Sequence, residues 1–207
     1  MSYEYSENEL VQNSAIELLR DTLGWHTFYA YNDEVLGNDS SSKSLGRSSY
    51  KEILLTRYLK EAVFKFNNWM TDEIFEQIVK ILNTKVSSDS DIQNNEKNYQ
   101  YFRDGIEVDV KDENGNYIKR RAKLFDFAHP EENDFLAVQE MKIWGEVYHR
   151  RADIVGFVNG IPLLFVELKR DDVDIQEAYD NNYKDYRTTI PQLFYYNAFI
   201  VFANGPE

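Results

Sequence analysis

The stretch that decides the fold is ADIVGFVNGIPLLFVELKR, residues 152–170. Its two apolar runs are joined by Asn159-Gly160, a pair that is typical of a tight β-hairpin turn. Both runs are almost continuously apolar, as expected of strands that are buried on both faces. The stretch therefore predicts a buried hairpin with three charged residues, Asp153, Glu167 and Lys169, near its open end.

The placement of these three charges indicates a catalytic site. Counted back from the turn, position 153 lies opposite positions 166 to 167, so the two carboxylates converge. Glu167 and Lys169 share a face because side chains alternate along a strand. Paired carboxylates suit Mg²⁺, and a nearby lysine suits activation of water or neutralisation of a phosphate. A structural ion pair fits the same spacing, and spacing alone does not choose between the two.

Length and composition set the outer bounds. With 207 residues, 43% hydrophobic and 15% aromatic, the chain is expected to form one globular domain with a sizeable core. The absence of cysteine excludes disulfides, a thiol nucleophile and a cysteine zinc site. No run is long and apolar enough to span a bilayer, and the start lacks signal-peptide features, so we expect a cytoplasmic protein with no membrane partner.

The net charge of −13 argues against extensive nucleic-acid binding by this chain alone. Phosphates are bound through lysine and arginine, and an acidic surface repels them at long range. Any role on DNA is therefore expected to be local, assisted by a metal or by a more basic partner. The basic run over 119–123 fits nucleic-acid binding and a charged strand edge about equally well.

The first half of the chain predicts helices separated by polar loops. Residues 6–25 predict a helix with Ser6 as N-cap and Gly24 as its end. A long helical region is predicted from Tyr50 to Leu82, with a break near Asn67-Asn68. Polar loops are predicted over 33–49 and 86–98.

After residue 100 the pattern changes to strands. We expect a hairpin around Asn114-Gly115, a strand within 133–145, the central hairpin, a helix near 174–187 and a strand within 197–205. This order predicts an α/β fold with a mixed β-sheet flanked by helices. The single domain, 1–207, would combine a helical part over about 1–85 with a sheet-rich catalytic core over about 100–207.

Three motifs carry a resemblance to a known family. They read Arg-x-Asp-Ile-Val from Arg151, Asn-Gly-x-Pro-Leu from Asn159 and Glu-Leu-Lys from Glu167. Together they resemble the N-terminal nuclease domain of the restriction (motor) subunit of type I restriction endonucleases. The similarity also includes 6–25 and 190–205, and so covers most of the chain.

The resemblance implies a PD-(D/E)xK restriction-endonuclease-like core. Asp153 and Glu167 would bind the metal, the carbonyl of Leu168 would be a further ligand, and Lys169 would be the catalytic lysine. Ala152 stands where the proline of the superfamily's name would be, which is a tolerable change.

Accessory positions are less well determined by the motifs. Asn182 and Tyr186 have the spacing of the family's Gln-x-x-x-Tyr motif, but asparagine is one methylene shorter, which leaves its role open. A glutamate of the N-terminal helix often joins such sites, and Glu7 and Glu9 are the candidates. Arg151 is a further accessory candidate, as a possible phosphate contact.

The function implied is that of a Mg²⁺-dependent endonuclease domain in an ATP-dependent type I restriction enzyme that cleaves double-stranded DNA. ATP would be used by motor domains beyond this chain, and methylation and specificity subunits would be its partners. We therefore expect the chain to be the N-terminal part of a longer protein. Two alternatives remain: another PD-(D/E)xK nuclease of repair or junction type, and a non-catalytic subunit-docking module in which the acids pair with Lys169.

Overall fold

The computed structural model describes residues 7–37, 43–84, 91–170 and 172–204. The helices are α1 Glu7–Glu17, α2 Ala30–Asp33, α3 Thr56–Phe66, α4 Asp72–Asn83, α5 Asp91–Asp104 and α6 Lys184–Thr189. The strands are β1 His26–Tyr29, β2 Ile106–Lys111, β3 Tyr117–Ala122, β4 Phe135–Trp144, β5 His149–Val158, β6 Ile161–Lys169 and β7 Phe199–Asn204. Short π-helical segments, Leu18–Thr22 and Ala178–Tyr183, continue α1 and precede α6.

Five strands form one mixed sheet in the order β1-β4-β5-β6-β7. β5 is antiparallel to both of its neighbours, β4 and β6, while β1 and β7 run parallel to their neighbours at the two edges. On one face α1 contributes Ile16 to a cluster with Ile154 and Val166. On the other, Tyr186 of α6 packs with Phe165. The expected mixed sheet with flanking helices is confirmed.

The predicted central hairpin is formed by β5 and β6. Asn159 and Gly160 both have positive φ, at 51° and 77°, as such a turn requires. Asn159 is fully buried, and its side-chain amide donates to the carbonyl of Leu124. Ile154 pairs with Val166, which places position 153 across from position 167 as counted from the sequence.

Several other predicted elements are also present. The helix predicted over 6–25 is formed by α1 and its π-helical continuation, and it ends at Gly24 with φ of 71°; Ser6 lies outside the described residues. The hairpin around Gly115 is formed by β2 and β3, which make a separate two-stranded sheet. Within the described ranges, no helix has the length and apolar character needed to cross a bilayer.

The long helix predicted from Tyr50 to Leu82 is wrong at its start. Residues up to Leu55 are not helical, because the Leu55 N–H donates to the carbonyl of Gly160 and the buried side chain of Leu55 packs in the core. The expected break is present after α3. Asn67 ends that helix by donating its side-chain amide to the carbonyls of Val63 and Lys123.

The polar loop predicted over 86–98 is also wrong from Asp91 onward, where α5 begins. Asn95 and Asn98 donate their amides to the backbone carbonyls of Asn197 and Tyr195. The polar side chains that suggested a loop therefore attach a helix to the segment before β7. Residues 85–90 lie outside the described structure.

The loop predicted over 33–49 overlaps the end of α2, and its described remainder is irregular, while 38–42 lies outside the described residues. Arg47 in this loop is nevertheless buried, and it forms a fully buried ion pair with Glu34. The Arg47 guanidinium also donates to the carbonyls of Glu52 and Lys142. The hydrogen bond to Lys142 ties the loop to β4.

The two Asn-Gly turns provide a matched test of this packing. A Cβ on Gly160 would lie 2.4 Å from the carbonyl oxygen of Leu55, whereas one on Gly115 would meet nothing within 4 Å. Both glycines have positive φ, so alanine at either costs about 1 kcal/mol of backbone strain. We expect Gly160→Ala to lower the free energy of unfolding by roughly 1–3 kcal/mol more than Gly115→Ala. Equal losses in paired denaturant titrations would contradict this packing.

Candidate active site

The candidate site lies where the sheet divides. The pairing of β5 with β6 ends at Ile154 and Val166; beyond it, β5 continues along β4 and β6 continues along β7. The two strands part there and leave an open cleft of about 750 Å³. Asp153, Glu167 and Lys169 all line this cleft, so the structure brings the three predicted residues together.

The two carboxylates occupy different surroundings. Glu167 is only 2% exposed, and within the described residues its Oε2 has no hydrogen-bond partner. Asp153 accepts a hydrogen bond of 2.8 Å from the backbone N–H of Leu168. Lys169 Nζ lies 3.7 Å from Glu167 Oε1 and donates to Asn182 Oδ1 at 2.6 Å. The lysine is therefore held beside Glu167 by a third residue.

Burial raises the pKa of both carboxyl groups, that of Asp153 to about 6 and that of Glu167 to about 8. Repulsion by Asp153 is the second cause for Glu167, and attraction by Lys169 offsets only part of the rise. The neighbouring cations thus do not fully neutralise the two carboxylates, and we call such a pair under-neutralised. An under-neutralised pair with an unsatisfied buried oxygen fits a divalent cation, which takes oxygen ligands.

The fit rests on two carboxylates. Within the described parts of the chain, no group of three or more His, Cys, Asp and Glu side chains is arranged to hold a metal ion. This suits Mg²⁺, which is usually bound through one or two carboxylates and keeps several of its waters. Leu168 lines the cleft, but its predicted carbonyl ligation stays a prediction.

Glu140 is a third acid at the site. It has a positive φ of 54°, and it is 6% exposed. On β4, Leu136 and Val138 pack into the core cluster that contains Phe165, and so do Met141 and Ile143. The residues that face this cluster are therefore even-numbered before position 140 and odd-numbered after it. The backbone distortion at Glu140 therefore swaps the faces of the strand and turns the side chain out of that cluster.

Two residues bind the Glu140 carboxylate. Gln12 of α1 donates to Glu140 Oε1 at 2.7 Å and to Asp153 Oδ1 at 3.4 Å. Arg151 forms an ion pair with Glu140, and its guanidinium lies 4.6 Å from the ring centre of Tyr31. Glu140 adds to the rise in pKa of both Asp153 and Glu167, so its charge acts on the site.

The accessory candidates divide into three groups. Asn182 and Tyr186 both line the cleft; Asn182 accepts from Lys169, and the Tyr186 hydroxyl donates to the carbonyl of Arg151. Arg151 is at the site but is bound to Glu140. The side chains of Glu7 and Glu9 lie outside the described structure. Their roles stay predictions.

Sequence reasoning missed Glu140 and Gln12. The signal for Glu140 was a carboxylate inside the otherwise largely apolar strand FLAVQEMKIW, 135–144. Gln12 gave no such signal, because one amide on a helix is ordinary. Its contact with Glu140 spans 128 positions in the chain.

A five-stranded mixed sheet flanked by helices, with an acidic pair and a lysine where two strands part, defines an α/β nuclease-like fold. Residues 4–207 match the family model described as type I restriction enzyme R protein N terminus. The chain belongs to this family.

Individual relatives agree with the family. The type I restriction enzyme HindI endonuclease subunit of Haemophilus influenzae is 30% identical over 204 residues, covering 97% of this chain and 18% of that protein. The putative type I restriction enzyme MjaIXP endonuclease subunit of Methanocaldococcus jannaschii is 29% identical over 209 residues, covering 98% of this chain and 19% of that protein. The chain thus spans about a fifth of the length of these two relatives.

The raised pKa values predict how stability depends on pH in metal-free buffer. The folded state holds its protons to higher pH than the unfolded chain, so the stability due to this pair falls as pH rises from about 4 to about 8. We expect the free energy of unfolding of the wild-type chain to fall by on the order of a few kcal/mol across this pH range, and Glu167→Gln to abolish most of that fall. The measurement is urea unfolding at a series of pH values in EDTA.

The matched control is Glu61→Gln, since Glu61 is exposed on α3. It should reproduce the wild-type pH profile. A Glu167→Gln profile that runs parallel to the wild-type profile would contradict the buried, under-neutralised pair.

Proposed function

We propose that this chain is the Mg²⁺-dependent endonuclease domain of an ATP-dependent type I restriction enzyme, and that it hydrolyses phosphodiester bonds of double-stranded DNA. The observation that carries the proposal is the under-neutralised pair Asp153 and Glu167, with Lys169 beside it, in an open cleft. Family membership and the endonuclease names of the relatives support it.

Each residue has a defined task in this proposal. Asp153 and Glu167 would hold the cation, which when bound lowers the pKa of water and stabilises charge on the phosphate. Lys169, held at 2.6 Å from Asn182 Oδ1, places its ammonium where it can orient the attacking water or neutralise the developing charge. Gln12 and Arg151 bind Glu140 and so keep a third carboxylate from adding unscreened repulsion.

The geometry favours this role over a docking module with a structural ion pair. In a structural pair, Lys169 would be expected to donate directly to Glu167. Lys169 does form a long ion pair with Glu167, at 3.7 Å, but its short hydrogen bond goes to Asn182, and Glu167 Oε2 has no hydrogen-bond partner in the described chain. Burying an acid in this way costs stability, which is the pattern of a residue kept for chemistry.

The larger assembly belongs to the proposal as well. ATP would be used by motor domains outside this chain, and methylation and specificity subunits would supply the site recognition. The relatives support this, because the chain matches only about a fifth of their length. A repair or junction nuclease is the weaker alternative, since the family match is to restriction subunits.

The test uses the assembled restriction enzyme that contains this chain. Glu167→Gln and Lys169→Ala should each reduce DNA cleavage at least a hundredfold, since charge stabilisation and water activation contribute several kcal/mol to the barrier. ATP hydrolysis should persist, because it belongs to another domain. The assay follows linearisation of a plasmid with a recognition site, and phosphate release from ATP, on the same preparations.

Glu61→Gln and Lys65→Ala are the matched controls, because both residues are exposed on α3, and they should cleave as the wild type does. Cleavage that persists in folded Glu167→Gln and Lys169→Ala enzymes would refute the catalytic assignment. Loss of ATP hydrolysis together with cleavage would refute the separation of the two activities.

A further inference from the structure

Cationic side chains are grouped around the cleft, although the chain as a whole has a net charge of −13. Five cationic side chains line the cleft: Lys142, Arg150, Arg151, Lys169 and Arg170. The acidic side chains that line it are Asp153, Glu167 and Glu177. Three of the five cations are closely paired with carboxylates, Arg150 with Asp185, Arg151 with Glu140 and Arg170 with Asp172. A polyanion at the cleft would therefore depend on the remaining cations.

The basic residues follow a regular pattern on β4 and β5. Lys142 is paired across the strands with Arg151, and Trp144 with His149. Along β4 these residues alternate with the buried Met141, so they lie on the opposite face. The cationic pair Lys142–Arg151 lies nearer the carboxylates, and the aromatic pair Trp144–His149 lies about 7 Å further along the strands, at their ends.

Lys142 is the cation of this row that is best placed to bind a phosphate. Arg151 is held by Glu140, and Arg150 donates to Asp185. Lys142 Nζ lies 5.1 Å from the ring centre of Tyr31, and within the described chain it forms no ion pair. The ring supports the ammonium without neutralising it.

The aromatic pair lies beyond Lys142. Trp144 and His149 are stacked, with ring centres 4.4 Å apart and an angle of 13° between the ring planes. Trp144 is 39% exposed, although large apolar side chains are usually covered. The carboxylate of the adjoining turn, Glu146, is paired with Lys51. The ring centre of Tyr50 lies 5.2 Å from that of Trp144, so the pair is accessible to solvent through the exposed His149 and the uncovered part of Trp144.

The other basic run is a poorer surface for DNA. Lys119 donates to Glu107 at 2.5 Å, and Arg121 lies 3.9 Å from the same carboxylate. Lys123 is paired with Asp126 at 3.0 Å. Three of the four cations of this run thus lie beside carboxylates, and the fourth, Arg120, lies 5.5 Å from the ring centre of Trp69.

We infer that the outer ends of β4 and β5 bind the DNA backbone next to the scissile phosphate. Lys142 contacts the neighbouring phosphate, and the Trp144–His149 stack packs against the sugar of the next nucleotide. The inference rests on the proposed function, because it places the scissile phosphate at Asp153 and Glu167. Such contacts position the strand without reading its sequence.

The test measures binding of a labelled DNA duplex by fluorescence anisotropy at a series of salt concentrations. All variants are made in the Glu167→Gln background of this chain, in which cleavage is removed. We expect Lys142→Ala to raise Kd several-fold and to reduce the slope of log K against log salt by about 1, as loss of one phosphate contact does. Lys142→Arg should restore the slope, and Trp144→Ala should raise Kd with the slope unchanged.

Lys119→Ala is the matched control and should leave both Kd and slope unchanged. An unchanged Kd and slope for Lys142→Ala would overturn the inference. A raised Kd and reduced slope for Lys119→Ala in place of Lys142→Ala would overturn it as well. Full cleavage by Glu167→Gln enzyme would refute the proposed function separately, since the salt slopes do not depend on cleavage.

Discussion

The burial of Asp153 and Glu167 where β5 and β6 part is the constraint on which the site depends. Their buried position raises the pKa of both carboxyl groups, and Lys169, which lies 3.7 Å from Glu167 and donates to Asn182, offsets only part of the rise for Glu167. Such a pair is unfavourable for a fold on its own. The hairpin compensates by anchoring its other end, where Asn159 is buried and Gly160 packs against Leu55.

The distortion at Glu140 links the fold to the site. On β5 the residues that face the same core cluster also change, from the odd-numbered Val155 to the even-numbered Ala152. This change lies directly across from the one on β4. Both strands thus change faces at one level of the sheet, beside Asp153. Beyond that level Met141 and Ile143 continue the core cluster, while Lys142 and Trp144 lie on the opposite face and line the cleft.

The sequence predicted the parts of the structure that follow from local patterns. The central hairpin, its register and the convergence of Asp153 with Glu167 follow from two apolar runs around Asn159-Gly160. Position 140 was not predicted, because period-two alternation contains no signal for a positive φ in a non-glycine residue. Gln12 could not be found, since its contact depends on how α1 packs across the sheet. The helix α5 was missed because its asparagines form tertiary rather than local hydrogen bonds.

The most direct test of the central claim is calorimetric titration of the chain with Mn²⁺, as a stand-in for Mg²⁺, at neutral pH. We predict binding that is accompanied by proton release, because a cation displaces the protons that the two carboxyl groups retain owing to their raised pKa values. Asp153→Asn and Glu167→Gln should each abolish or strongly weaken that binding, while Glu61→Gln should not. Binding that is unaffected by either site substitution, or no binding by the wild-type chain, would contradict the claim that this buried pair is kept to hold a divalent cation.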